Sequence, residues 1–358
     1  MDFHFHHVTQ PPPGTLPMKY LPFILLLSFA TPSVAQHDYK VSRMKLRDGE
    51  YDEAIKILDK WIAKAPQDSE WVYQLAIAQT GQGNLETANA TVKRALAMGV
   101  APGRFAADAQ HLFKPLVETE EFKTLLASVR NVPIQGPMMG NATATSASIW
   151  LRTAGPSKVQ ILYGDKQAAS PATSRTVETT AEKDFTAVVK LDGLTPKTMY
   201  TYQIVIDGQT DKTHLPASFV TAPVKGEPTK FRFAFGGGAG YVPEHEYMWD
   251  TIGAQKPDAL VLLGDNMYSD DPKNREMQKF CYYRRQSPPE FRRLTGGIPV
   301  YSIWDDHDFG TNDCSGGPAI DSPDWKLPVW NVFRQNWVNP GYGAGEKRPG
   351  CWYDFYRG

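Results

Sequence analysis

Two short acidic segments towards the carboxyl end of the chain carry the side chains best suited to chemistry. One reads LGDNMYSD at residues 263–270, and the other reads WDDHD at residues 304–308. Each follows an apolar run that predicts a buried strand, so both should lie on loops at one edge of a sheet, where open α/β folds bind ligands. Their carboxylate, phenol and imidazole groups are the oxygen and nitrogen ligands that hard divalent cations prefer to sulfur. The two segments therefore predict a metal-assisted hydrolase.

The second segment makes this interpretation stronger than the first alone would. A glycine followed by an aspartate, as at Gly264 and Asp265, is common in turns and is a weak signal by itself. In the second segment four ionisable side chains follow one strand, and their burial is unfavourable unless a cation neutralises them. One or two divalent ions would do so, and would also polarise a phosphoryl oxygen and lower the pKa of bound water. His307 beside such ions could hold the scissile oxygen or protonate the leaving group.

Residues from about 133 to the end resemble the alkaline-phosphatase-D type of calcineurin-like metallophosphoesterases, which place a sandwich domain before a two-metal α/β domain. Asp265 and Tyr268 match the second metal motif of that family, Gly-Asp-x-x-Tyr. The resemblance implies that the Asp bridges two ions and that the Tyr binds one of them. Asp306 and His307 match the third motif, which implies a metal ligand followed by a catalytic histidine at the transferring phosphoryl group.

The resemblance also implies a reaction and a cofactor. The expected reaction is hydrolysis of phosphate monoesters or diesters by in-line attack of water at a two-metal site, so the expected substrate is a phosphate ester. The expected cofactor is a pair of divalent or trivalent ions, among which the sequence does not distinguish Fe, Ca, Zn, Mn and Mg.

The sequence departs from the family pattern at two places. The first motif of the family ends with a Cys or Asp ligand, whereas the corresponding residue here is Gly238. Glu244 or His245 could substitute, although an acid at a helix start is common for other reasons. No histidine follows His307, where the family has further ligands, so we expect a chain truncated within its catalytic domain. The alternative function is a non-catalytic exported repeat or interaction protein with a vestigial phosphatase domain.

The region before the sandwich repeats with a period of 34 residues, which resembles the tetratricopeptide repeat. Small residues at Ala54 and Ala88 should let paired helices approach closely, and a third helical stretch from Arg104 to Val129 should cap the stack. A groove that binds a protein partner needs several stacked units, so two repeats favour a packing role over such a groove. The residues that recur are Gly49, Tyr51, Ala54, Leu58 and Trp61, which correspond to Gly83, Leu85, Ala88, Val92 and Ala95.

The fold class predicted is multidomain: α-helical repeats, a β-sandwich and a partial α/β domain. Five alternating runs between 147 and 222 predict a fibronectin type III-like sandwich, with Tyr200 or Tyr202 as its corner tyrosine. Strands at 231–235, 259–263 and 300–304, with a helix at 244–255, predict a parallel sheet. The domains are a leader and signal peptide (1–35), helical repeats (36–130), the sandwich (133–223) and the N-terminal part of the metallophosphoesterase domain (229–358).

The amino-terminal segment has the layout of a secretory signal peptide. An apolar core from Leu21 to Ala30 follows Lys19 and precedes a small-residue stretch, which predicts cleavage before Gln36. The core is too short to span a bilayer as a permanent helix, so no stable membrane anchor is expected. The protein is therefore expected in the periplasm or outside the cell.

Composition limits the other classes of function. The 38 Lys and Arg residues against 39 Asp and Glu residues give no general footprint for nucleic acid. Three cysteines, Cys281, Cys314 and Cys351, lie in the last eighty residues. In an oxidising compartment two of them could form a disulfide, and the pairing is left open.

Overall fold

The computed structural model describes residues 34–108, 112–168, 170–213, 217–316 and 322–358, with only the backbone for residues 34–37. The predicted leader and signal peptide lies outside the described residues except for its last two. The described segments belong to one compact unit. Helices come first along the chain, antiparallel strands follow, and alternating strands and helices come last, as the sequence predicts.

The helical segment contains the predicted repeat. In chain order its helices are α1 (Val34–Arg47), α2 (Tyr51–Lys64), α3 (Ser69–Gly81), α4 (Leu85–Ala97), α5 (Pro102–Asp108) and α6 (Glu120–Ser128), with a 3₁₀ turn at Leu116–Glu118. Ala54 in α2 and Ala88 in α4 are fully buried, and their small side chains allow the close packing of neighbouring helices. Phe105 and Phe113, from the predicted capping stretch, pack in the same core as Trp71 of α3.

The next segment is a two-sheet antiparallel sandwich. Its strands are β1 (Gln135–Gly140), β2 (Ser146–Arg152), β3 (Ser157–Asp165), β4 (Ala172–Thr173), β5 (Val177–Thr179), β6 (Thr186–Asp192), β7 (Met199–Ile206), β8 (Gln209–Thr210) and β9 (Ala217–Val220). One sheet has the order β1-β2-β6, and the other is built around the β3-β7 pair. Ile149, Ile161 and Ile204 come from both sheets and share one buried core, which explains the alternating pattern of the sequence.

The two candidate corner tyrosines have different partners. The Tyr200 hydroxyl accepts a hydrogen bond from the Thr195 backbone N–H at 2.9 Å, five residues upstream, which is the geometry of a tyrosine corner. The Tyr202 hydroxyl donates to the Gly296 carbonyl at 2.7 Å, in the α/β segment. Tyr200 is therefore the corner residue, and Tyr202 joins the sandwich to the segment that follows.

The last segment is a three-stranded parallel sheet with helices. Its elements are β10 (Phe233–Gly236), α7 (Met248–Ala254), β11 (Ala259–Leu262), α8 (Arg275–Arg285), α9 (Pro289–Gly297), β12 (Val300–Ser302), α10 (Asp306–Phe309) and α11 (Lys326–Asn336). The strand order is β10-β11-β12, and both pairs are parallel. The predicted helix at 244–255 is shorter than expected, because Pro243 begins a 3₁₀ turn through His245 and the α-helix starts only at Met248.

The sandwich and the α/β segment share buried polar contacts. The Trp150 indole donates to the Gln335 carbonyl at 2.7 Å. The guanidinium of Arg152, which is 1% exposed, donates to Asp184 at 2.9 Å and to Asn336 at 2.8 Å. A buried cation needs such partners, so this network ties the sandwich to α11.

Two further expectations from the sequence concern cysteines and membranes. All three cysteines are free, and Cys281 is buried within α8. In the part of the chain that the structure describes, every helix is too short or too polar to cross a bilayer.

Candidate functional site

The two acidic segments lie at the carboxyl ends of adjacent parallel strands, as the sequence predicts. The loop after β11 begins at Leu263 and the loop after β12 begins at Ile303. Gly264 has a φ of +100°, and a Cβ added to it would lie 2.5 Å from the Asp305 Cβ and 2.7 Å from the Asp305 nitrogen. Only glycine allows both this backbone conformation and this close approach. Gly264 is therefore the residue that lets the two loops meet.

Asp308 holds the same two loops together. Its carboxylate is 3% exposed and accepts the backbone N–H groups of Asn266 at 2.9 Å and Met267 at 3.1 Å in the first loop. It also accepts the Asp305 N–H at 3.3 Å, which completes a capping box at the start of α10. Burial raises the pKa of Asp308 to about 7, although the backbone donors oppose that shift. The D-x-x-D spacing is the sequence signal for this cap.

The four predicted site residues come together between these loops. Ligand atoms of Asp265, Asp306 and His307 all lie within 4.8 Å of one another. The Tyr268 hydroxyl donates to the Asp265 Oδ2 at 3.2 Å, and the rings of Tyr268 and His307 have centroids 4.6 Å apart. Asp265 and Tyr268 both have positive φ values, a backbone conformation that is unfavourable for residues other than glycine.

One atom of this cluster tests whether a metal would fit. Asp265 Oδ1 is buried and has no hydrogen-bond partner among the described residues. Burial is the main cause that raises the pKa of Asp265; the charge of His307 lowers it, and Asp306 and Asp305 raise it further. A buried carboxylate oxygen without a partner is unfavourable unless a cation binds it. The donor set, two carboxylates, a phenol and an imidazole, suits a hard or borderline cation.

His307 has a partner that the sequence did not assign. Its Nδ1 pairs with the Asp270 Oδ1, while the other Asp270 oxygen pairs with the Lys40 ammonium of α1. Burial lowers the pKa of His307, but the hydrogen bond to Asp270 raises it, and the net shift is upward. Asp270 belongs to the first acidic segment and could have been found there. Lys40 is 230 residues away in sequence, and no local pattern marks it.

Gly238, which corresponds to the first ligand of the family, does lie at this site. Its φ is +70°, and a Cβ added to it would be 3.6 Å from the Tyr268 hydroxyl. Its N–H donates to the Gly264 carbonyl at 3.1 Å. Glu244 instead lines a cavity of about 490 Å³ with Trp61 of the helical repeats. Neither Glu244 nor His245 is in the cluster of three ligands found among the described residues.

Comparison with protein-family models identifies two segments. Residues 45–107 match a model described as Tetratricopeptide repeat. Residues 133–221 match a model described as Domain of unknown function (DUF7800). No curated protein sequence matches the chain.

Comparison with solved structures shows a likeness in fold over about three fifths of the chain. The structure of PhoD aligns with a TM-score of 0.51 at 15% identity and covers 61% of this chain and 48% of PhoD. A purple acid phosphatase from yellow lupin (Lupinus luteus) seeds aligns with a TM-score of 0.46 at 14% identity, over 63% of this chain and 44% of that one. The chain thus spans about half the length of PhoD. The aligned part of the chain has a PhoD-like fold, and residues 45–107 form a tetratricopeptide segment.

The meeting of the loops leads to a test of stability. We expect Gly264→Ala to lower the free energy of unfolding by about 3 kcal/mol, since it adds a strained φ and an overlap with Asp305. Gly236→Ala is the matched control, because Gly236 has no atom within 4 Å of an added Cβ and should change stability by less than about 0.5 kcal/mol. Urea denaturation of both variants measures this. Equal stability of the two variants would contradict the close approach.

Proposed function

We propose that the protein is a metal-dependent phosphoester hydrolase in which water attacks phosphorus at a two-metal site. The observation that carries this proposal is the buried Asp265 oxygen without a partner, beside ligand atoms of Asp306 and His307. The position of the cluster at the carboxyl edge of a parallel sheet supports it too. PhoD is similar to this chain in fold alone, so the activity proposed here rests on the residues of this chain.

The proposed roles divide the residues into ligands and a catalytic group. Asp265, Tyr268 and Asp306 would hold metal ions, which when bound would supply positive charge that activates water and stabilises phosphoryl oxygens. The Tyr268 hydroxyl orients the Asp265 carboxylate through its 3.2 Å hydrogen bond. Asp270 engages the Nδ1 of His307, so in the imidazolium form the Nε2–H is the proton that can pass to the leaving oxygen, which leaves a neutral ring protonated at Nδ1.

A second function, a non-catalytic exported interaction protein with a vestigial phosphatase site, is favoured by one observation. Gly238 lies beside the Tyr268 hydroxyl and offers no side chain to a metal. In that case the helical repeats would bind a protein partner, and the acidic cluster would have no catalytic function. Absence of both metal binding and phosphoesterase turnover in the folded protein would favour this function over the first.

We also propose export to the periplasm or the extracellular space through the apolar segment at residues 21–30. The small residues after it support cleavage before Gln36. Amino-terminal sequencing of the mature protein should therefore begin at Gln36. An amino terminus upstream of Leu21 in the exported protein would contradict this proposal.

We expect Asp265→Asn and Asp306→Asn each to reduce phosphoesterase turnover to the level of chelator-treated protein, since the amide keeps the shape but loses the charge that binds the cation. Asp250→Asn is the matched control, because Asp250 pairs with Arg293 on the surface of the same segment. Metal content by mass spectrometry and hydrolysis of aryl phosphate monoesters and diesters measure the effect. Full turnover in either variant, or equal loss in the control, would contradict the assignment.

The catalytic role of His307 is separable from metal binding. We expect His307→Asn to keep its bound metal and to lose turnover by about a hundredfold, the usual contribution of a positioned general acid. Metal content and turnover should be measured on the same preparation. Loss of metal equal to that of Asp306→Asn would make His307 a ligand instead.

A further inference from the structure

The first helix of the repeat segment lies against the loop that carries the proposed metal ligands. Lys40, Arg43 and Arg47 have the spacing i, i+3 and i+7, so they share one face of α1. Lys40 pairs with Asp270 of the loop after β11. Arg43 pairs with Asp108 and Arg47 pairs with Asp48, both within the helical segment. Of these three residues, Lys40 is therefore the one whose ion pair joins the helical segment to the proposed site.

Packing on its other residues holds α1 in this position. The Tyr39 ring stacks on Trp71 at 3.8 Å between centroids, which attaches α1 to the repeat core. The Arg43 guanidinium lies 4.6 Å from the centre of the Phe280 ring in α8, and it also donates to Asp108 at 3.0 Å. Because Tyr39 and Arg43 are both buried in these contacts, the position of Lys40 does not depend on its ion pair alone.

The Asp270 carboxylate is a bridge between Lys40 and His307. One oxygen pairs with the Lys40 ammonium and the other with the His307 Nδ1, so both oxygens have a partner. The side chains of Lys40 and Asp270 are 13% and 28% exposed, which makes their pair less screened than one on the open surface. A carboxylate whose terminal torsion is fixed from both sides holds the imidazole in one orientation, whereas the torsion is otherwise broad.

We propose that Lys40 is a positioning residue for His307: it fixes the Asp270 carboxylate, which fixes the imidazole. This makes the helical repeat segment a structural part of the catalytic site instead of a separate interaction module. The proposal deepens the proposed function and, for its catalytic consequence, rests on it. Its structural part, the orientation of His307, stands on the contacts of Lys40 and Asp270 alone.

The structural part is tested on the metal-free full chain with ¹⁵N-labelled histidine. The His307 signals, assigned by their loss in His307→Asn, report which ring nitrogen carries the proton. We expect Lys40→Met to change the His307 Nδ1 signal, because Asp270 is no longer held by the ammonium, Lys40→Arg to keep it, and Lys45→Met to leave both ring signals unchanged. Lys45 is the matched control because it lies on the same helix but pairs with Glu50 on the surface. Identical His307 signals in wild type and Lys40→Met would overturn the proposal.

The catalytic part is tested on the metal-loaded protein. We expect Lys40→Met to lower kcat roughly tenfold with KM nearly unchanged, a smaller loss than the hundredfold typical of a 1 Å displacement. Lys40→Arg should restore most of this loss, and Lys40→Met combined with Asp270→Asn should be no slower than Asp270→Asn alone. A rise in KM with unchanged kcat would overturn positioning and assign Lys40 to substrate binding. If the wild type has no turnover, the proposed function fails while the histidine signals still decide the role of Lys40.

Discussion

The structure of the candidate site depends on the approach of two loops at the ends of neighbouring parallel strands. Strands in a sheet lie about 4.8 Å apart, so residues that directly follow them start within ligand-sharing distance. That spacing alone does not make a site, since loops can diverge. Gly264 has no Cβ that would overlap with Asp305, and Asp308 accepts backbone N–H groups from both loops. These two residues therefore hold together the loops that carry the proposed ligands.

The sequence predicts those parts of the site that arise from local pattern. Asp265, Tyr268, Asp306 and His307 lie in two short segments after apolar strands, and parallel topology brings such segments together without further information. The pattern did not distinguish the function of Asp308 from that of Asp306, because a capping carboxylate and a ligand carboxylate look alike in sequence. The structure separates them, because Asp308 is buried and caps α10, whereas Asp306 is partly exposed beside Asp265 and His307.

Long-range contacts account for what the sequence did not predict. Lys40 meets Asp270 across 230 residues, and that pairing follows from how α1 packs on α8, which no local periodicity encodes. In the same way, the pattern of β7 named Tyr200 and Tyr202 as equivalent candidates. The Tyr200 hydroxyl accepts a hydrogen bond from Thr195, just before its own strand, whereas the Tyr202 hydroxyl donates to Gly296. The packing of the sandwich on the α/β segment sets this difference. Local pattern thus predicted the elements, and tertiary packing assigned the partners.

Gly238 supplies no charged side chain, so it affects the charge of the site more than its shape. An added Cβ would lie in ordinary contact with the Tyr268 hydroxyl, so space does not exclude a side chain there, whereas the positive φ favours glycine. Without an anionic ligand from the first strand, Asp265 and Asp306 supply the carboxylate charge of the three-residue cluster found among the described residues. A site with fewer anionic ligands stabilises a second cation less than a site with more of them. In the proposed function, Asp265 and Asp306 would therefore hold one ion, and a second ion would depend more on Tyr268 and on the phosphate oxygens of the substrate.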